Sequence, residues 1–572
     1  MPRVESLPRL LMFLLGLLCC NSMIAQEEVD PLEALGILDS EPPKPVITVT
    51  LSGVENSLKD IAWMFDEADR PDMVDFLNGI LADRAGDLKG LDRTKPAGVM
   101  VFLEAAFPPR PVPVAYLPVA NIDDFVKTMD LGPLKLKKVE GSEDRYEMTG
   151  RRRSQHALYR DGYLYLSRNE DMAMREDLPV PADFAPPVTS KYDLAVTIDL
   201  TSVPDLLRDA FLGFLRTQAE AELQRRDDEP EGAYLARRAN GINGLEMIEL
   251  LLKEGDKLTI GLDASQDQRR VTVDFSLDVK PGGELAENSK AFASRPTAFG
   301  ALLEDESQPL TMAASFTLNK REKKVYGEYV RSFETGLKSR FTELDGGELT
   351  TASSNLISRV VDPLRSTVEE GHLDFCLQFR AVEPQKFAIV GGVRIVGGDT
   401  LATGLEQLIA RAGELDENLE EFEVNAASVQ GVSLHRLRGP DRSNGKSPLG
   451  ADPSLYLGAS GRTLWFGVGD GSALTELEFA IGRQAEGVAP GSGNSQAPFK
   501  AVVHPSRWLK LPDENPDEGR EIAEDAFDLQ DDAARLEVRP TASGIRVRAQ
   551  FEKSFVRFIG NLLARQYDKT QL

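Results

Sequence analysis

One order of short alternating strands and amphipathic helices occurs twice along this chain, and that feature restricts its fold more than any other. The alternation is clearest in Arg270-Val-Thr-Val-Asp-Phe-Ser-Leu-Asp278, where apolar and polar side chains take turns. Successive side chains of a strand point to opposite faces, so the pattern predicts antiparallel strands in a sheet with one covered face. In the first copy a strand at 46–51 is followed by two helical stretches. One carries Leu58, Ile61, Ala62 and Phe65, the other Met73, Phe76, Leu77, Ile80 and Leu81, all at helical spacing. Strands at 98–104 and 112–119 come next, then a short helix after Asn121 with Ile122, Phe125, Val126 and Met129. Strands at 134–139, 146–149, 156–160, 163–167 and 193–200 follow, then a helix with Leu207, Ala210, Phe211, Phe214 and Leu215. The copy closes with strands at 258–264 and 271–279.

The second copy opens at 310–318 and continues with helices carrying Tyr326, Tyr329, Val330, Phe333 and Leu337, and Ile357, Val360, Val361 and Leu364. Strands at 372–380 and 388–396 precede a helix capped at Asp399 or Thr400, with Leu401, Leu405 and Leu408. Strands at 421–425, 432–437, 454–458 and 463–467 follow, and the copy closes at 534–538 and 545–551. The best local match sets Asp161-Gly-Tyr-Leu-Tyr-Leu-Ser167 against Gly461-Arg-Thr-Leu-Trp-Phe-Gly467. A period of about 260 residues is too long for a solenoid and reads as duplication of a whole module. The expected fold is α+β: two similar halves, each a curved antiparallel sheet with helices packed on one side. Its expected divisions are a signal peptide at 1–25, an acidic, Pro-rich lead at 26–45, a first module at 46–295, a linker at 296–309 and a second module at 309–566.

The N-terminus carries Arg3 and Arg9, an apolar run from Leu10 to Cys20, and Ala25 before Gln26. A positive flank, a short apolar core and a small residue at the cut are the marks of a secretory signal peptide. The core is shorter than the roughly 20 residues a spanning helix needs. The formal charge is -26. Residues 1–25 hold Arg3, Arg9 and Glu5, a net +1, so the chain from Gln26 onward is near -27. Such a field repels phosphate backbones and anionic headgroups, which argues against nucleic acid as a partner. No second apolar run reaches spanning length. Of three cysteines, Cys19 and Cys20 lie in the signal segment, so Cys376 stands alone and no internal disulfide is expected. A large core without disulfides suits a bacterial envelope protein.

No stretch completes a catalytic or ligand-binding motif. His372, Asp374, Cys376 and Gln378 share one face of a strand. Four residues of strand span about 13 Å, however, and a nucleophile and its base must lie within about 3 Å. His156, His372, His435 and His504 show no metal-ligand spacing. The stretch from Gly439 to Ser447 nearly matches a phosphate-binding loop, but Pro440 stands where the first glycine is needed. Gly391-Gly-Val-Arg-Ile-Val-Gly-Gly-Asp399 lacks the dinucleotide spacing and reads as a turn into a helix. Acidic runs at 227–229 and 513–518 lack the calcium-loop pattern. The tail places Phe551, Phe555, Phe558, Ile559, Leu562 and Leu563 on one face, as a core-facing terminal helix does. No catalytic, cofactor or metal residue is therefore assigned.

With its signal segment, acidic duplicated body, and strand pairs such as Gly162-Tyr-Leu-Tyr-Leu-Ser167 closing on an Ala/Leu-rich helix, the chain resembles uncharacterised exported proteins of planctomycete-type bacteria. The resemblance implies no activity and carries over no site residue. The expectation is a non-catalytic binding or structural protein of the periplasm or cell envelope. Two alternatives stay open: a carrier of an apolar ligand held between sheet and helices, and a hydrolase whose site is assembled from distant residues.

Overall fold

The computed structural model describes residues 44–571, apart from 86–87, 105–109, 131–134, 151–153, 227–228, 230, 294, 304, 384, 412–420, 439–446, 451, 486–496, 512–517 and 528–529. The signal segment, most of the acidic lead, the loop at 439–446 and most of both acidic runs thus lie outside the described residues. The chain is mixed α and β, and every described strand pairing joins antiparallel neighbours. It forms two compact units interleaved along the sequence. Unit 1 holds residues up to 204 with 257–275 and 552–572; unit 2 holds 205–256 and 276–551.

In unit 1 the strands are β1 (Ile47–Leu51), β2 (Ala97–Glu104), β3 (Arg110–Pro118), β4 (Lys135–Lys138), β5 (Arg145–Thr149), β6 (Ser154–Arg160), β7 (Tyr163–Ser167), β8 (Leu194–Asp199) and β9 (Gly255–Ser265). They lie in the order β4-β5-β6-β7-β3-β2-β1-β8-β9. Helices α1 (Val54–Glu67) and α2 (Pro71–Ala85) follow β1, and α3 (Ile122–Met129) follows β3. Asn121 caps α3 by accepting the Asp124 N–H, as short polar residues do at helix starts.

Strand β7 is apolar on both sides, so both must be covered. Tyr163 and Tyr165 pack with Met100, Phe102, Val114, Tyr116, Met172 and Phe184 on one face. Leu164 and Leu166 pack with Phe125 of α3, Leu136 and Tyr146 on the other. Helices therefore lie against both faces at this end of the sheet, where packing on one side was expected. The terminal helix, Lys553–Gln571, buries Ala564 against Phe65 and Met73, with Leu563 and Tyr567 at the rim. Of the expected stripe only Leu563 joins this cluster; the packing face runs through Ala564 and Tyr567.

Strand β10 (Arg270–Val279) divides between the units. Unit 2 holds β11 (Leu310–Thr317), β12 (His372–Glu383), β13 (Lys386–Arg394), β14 (Glu421–Val429), β15 (Val432–Arg438), β16 (Ser454–Ser460), β17 (Thr463–Gly469), β18 (Phe499–Val503), β19 (Ala534–Pro540) and β20 (Gly544–Glu552). Their order is β14-β15-β16-β17-β13-β12-β11-β18-β19-β20. Strand β18 is absent from the strands expected of the second copy. Its Phe-Lys-Ala-Val-Val is too short to show a period.

The helices of this unit are α4 (Asp205–Glu222), α5 (Glu231–Glu254), α6 (Glu284–Ala291), α7 (Lys320–Leu344), α8 (Thr351–Glu370), α9 (Gly398–Ala410), α10 (Gly471–Ala485) and α11 (Glu518–Ala526). Helix α10 covers the Trp465 face of the sheet with Ala473, Leu477, Ala480 and Ile481, and Cys376 lies in the same cluster. Burying each large apolar side chain there stabilises by about 1.5–3 kcal/mol. Helices α7, α8 and α9 form a second cluster through Phe341, Leu356, Val360, Val361, Leu401 and Leu405. The start of α9 differs from the expected cap. Gly397 takes the capping place at φ 75, a left-handed conformation that glycine adopts without strain. Asp399 instead accepts the Gly461 N–H at 2.8 Å.

Candidate functional site

The polar face of β12 is buried along its length: His372, Asp374, Cys376, Gln378 and Arg380 are all under a tenth exposed. Each polar group there has a local partner. Asp374 accepts from Thr297 Oγ1 at 2.7 Å and from the Ala298 N–H at 2.8 Å. Gln378 donates to the Leu302 carbonyl at 2.8 Å and accepts from Arg380 at 2.9 Å. Arg380 also holds Glu476 at 2.5 Å. These bonds pin the 297–302 stretch across the strand.

His372 Nε2 lies 3.0 Å from Ser315 Oγ, so the ring pairs with a serine of β11, and the thiol of Cys376 lies elsewhere on its own strand. Burial, with a smaller contribution from Asp374, pushes the Cys376 thiol up to about 12, the opposite of an activated nucleophile. Burial, then the charge of Arg295, pulls His372 down to about 4. The face is a structural network.

A second histidine has a carboxylate partner that no sequence pattern announces, because the two are 28 residues apart. His504 Nδ1 is 2.6 Å from Asp532 Oδ1. Asp532 also accepts the Ser506 N–H at 3.0 Å. Ser, His and Asp meet here, but His504 Nε2 faces the Glu306 carbonyl at 2.7 Å, where a triad needs the serine hydroxyl.

In unit 1, Asp60 is raised to about 6 by burial and by Asp193, and accepts from Gln266 at 3.2 Å. Among the described residues no group of three His, Cys, Asp or Glu could hold a metal ion. A surface depression of about 430 Å³ between α7 and α8 is lined by Lys323, Arg331, Glu334, Arg365 and Glu369. Its charges are cross-linked, Arg365 to Glu334 at 2.8 Å and Lys323 to the Glu369 carbonyl at 2.8 Å.

What remains is apolar. Strand register aligns Leu536, Ala501, Met312, Leu377, Gly391 and Phe466 in one row across six strands of unit 2. The row lies on the face opposite Cys376 and Trp465. Its members join none of the buried clusters among the described residues. Leu536 is 36% exposed and the others, Gly391 aside, are half-buried.

Aromatic rings bound the row on both sides. On one side Phe375 packs with Phe292, Phe316 and Tyr326. On the other Trp508 packs on Phe379 and Phe387, with ring centroids 5.1 and 5.4 Å away. Phe375 and Phe379 are four residues apart, about 13 Å along the strand, and six strands at roughly 4.8 Å spacing make a slot about 24 Å long. In unit 1, register aligns Ile260, Val196, Val49, Val99, Ala115 and Leu166 in the same manner. Ile260 is 40% exposed, and Val196, Val49 and Val99 are half-buried and belong to no cluster.

No protein family, curated protein or solved structure matches the chain. Among the described residues no helix is long and apolar enough to cross a membrane.

Proposed function

We propose that this is an exported, duplicated α+β protein that holds an extended hydrocarbon chain on the apolar face of each sheet. The observation that carries the reading is the pair of equivalent rows. If β1–β9 correspond in order to β11–β19, the two strand orders coincide. Under that pairing the registers can be set side by side. Thr50, Gly98, Tyr116 and Tyr165 are neighbours across β1, β2, β3 and β7; Ala313, Cys376, Gly392 and Trp465 are neighbours across β11, β12, β13 and β17. One residue further on, the slot rows fall into correspondence as well. Ile260 matches Leu536, and these are the exposed members of their rows.

The unit 1 row is covered at one end, through Ala115 and Leu166. Generic packing does not require both copies to leave the same other end open, the end that runs through β1, β8 and β9 in unit 1 and β11, β18 and β19 in unit 2. An alkyl chain fits it better than a peptide. The row offers no polar side chain, and its strands are inside the sheet, so no edge is free to pair with a backbone. Export rests on residues 1–25, and a bacterial periplasm or envelope is the matching compartment. Mass spectrometry of the protein from its own host should find an N-terminus near Gln26.

Binding is tested with a dansyl-labelled undecanoic acid. Wild type should bind it saturably at two sites per chain. Leu536→Glu or Ile260→Glu should each remove one site, and the double variant both, with circular dichroism unchanged. Saturable binding that survives the double variant, or none in wild type, would refute the reading.

A further inference from the structure

We infer that His504 is a charged clasp that closes the Trp508 wall of the unit 2 slot and releases it as the pH rises. The inference takes the slot to be the binding surface proposed above. Both ring nitrogens of His504 face acceptors: the Asp532 carboxylate at 2.6 Å and the Glu306 carbonyl at 2.7 Å. A carbonyl oxygen has no proton to give. Burial pushes the Asp532 carboxyl up, but hydrogen bonds from His504 and Ser506 outweigh it and hold Asp532 below the usual carboxylate range, so it has none either. Both nitrogens must therefore donate, and only imidazolium can do that.

The clasp reaches the slot through one carbonyl. Pro309 O accepts the His504 backbone N–H at 3.0 Å and the Trp508 indole N–H at 3.0 Å. Glu306 and Pro309 are three residues apart on the segment that leads into β11. Holding Glu306 thus holds the acceptor that orients Trp508 over Phe379 and Phe387. Among the described residues, the charged groups facing the clasp are Asp532, the Glu306 carboxylate, and Lys500 and Arg535, which bind that carboxylate.

On deprotonation His504 keeps one N–H, and the charged Asp532 retains it. The lone pair of Nε2 then faces the Glu306 carbonyl oxygen, acceptor against acceptor, and the segment is pushed away. Closure is therefore complete while His504 is protonated and is lost as the pH rises through its titration.

Fluorotryptophan labelling with ¹⁹F NMR tests this without any ligand, so failure of the clasp and failure of the slot are told apart. The chain has three tryptophans, and Trp508→Phe identifies the resonance. Between pH 5 and 10 the Trp508 signal should move in one titration that vanishes in His504→Gln. A static signal, or the same titration in His504→Gln, would overturn the clasp. Should His504→Gln fail to fold, hydrogen exchange on wild type decides the matter instead. Amides 305–311 and 504–511 should lose protection at high pH relative to the core strands, and unchanged relative protection would overturn it.

Discussion

His372 shows what one buried side chain does to the pH dependence of the whole chain. Burial, then Arg295, holds it neutral down to about 4, whereas the unfolded chain takes up that proton near 6.5. The unfolded state therefore binds the proton first, and stability is lost as the pH falls from 6.5 towards 4. The loss is about 3 kcal/mol at most. His372→Gln should flatten that part of the profile, as urea unfolding at pH 7 and pH 4.5 would reveal; equal slopes in both proteins would place the loss elsewhere. Cys376 makes the complementary case. With its thiol pushed up to about 12, it should resist Ellman's reagent at pH 8 until guanidinium unfolds the chain. Cys376→Ser should keep the fold at a loss of about 1–3 kcal/mol, because it buries a more polar group. That His372 could not serve Cys376 was legible from strand geometry. That Asp532 serves His504 was not, because the pair is made by segments flanking β18 and β19.

At the scale of elements, the aromatic strands β7 and β17 were legible from their own residues, and so were most helices. What single strands do not carry is lateral register, and the rows exist only in register. Gly98 illustrates this. Within β2 it looks like a weak point, yet Tyr116 lies across it and donates to Thr50 at 3.0 Å. A Cβ at Gly98 would collide with the Val49 carbonyl oxygen, which is backbone and cannot yield. Gly98→Ala should lower stability by about 1–3 kcal/mol or more. Gly392→Ala meets the buried Phe299 ring first, a side chain that can shift by a few tenths of an ångström where backbone cannot, so it should cost less. Thermal unfolding of the two variants ranks them; the reverse order would mean that the β1–β2 contact is looser than its geometry. Strand β18 escaped detection for a related reason: five residues identify themselves only through β11 and β19.

For the whole molecule, a mixed α and β chain with antiparallel sheets was legible in the sequence, because period-2 and period-3.6 patterns alternate along it. The interleaving of the units was not, since residues 205–256 and 552–572 carry no mark of the helices they pack beside, α7 and α1. Nor could composition tell an apolar face that is covered from one left open. The central claim is that the open faces hold hydrocarbon chains, and photolabelling of the intact protein tests it most directly. A fatty acid with a diazirine at mid-chain is bound, irradiated and mapped by peptide mass spectrometry. Label should concentrate on 310–316, 372–383, 499–503 and 534–540 in unit 2 and on 47–51, 97–104, 194–199 and 257–265 in unit 1, and excess unlabelled fatty acid should suppress it. Label scattered over exposed helices, or untouched by competition, would contradict it.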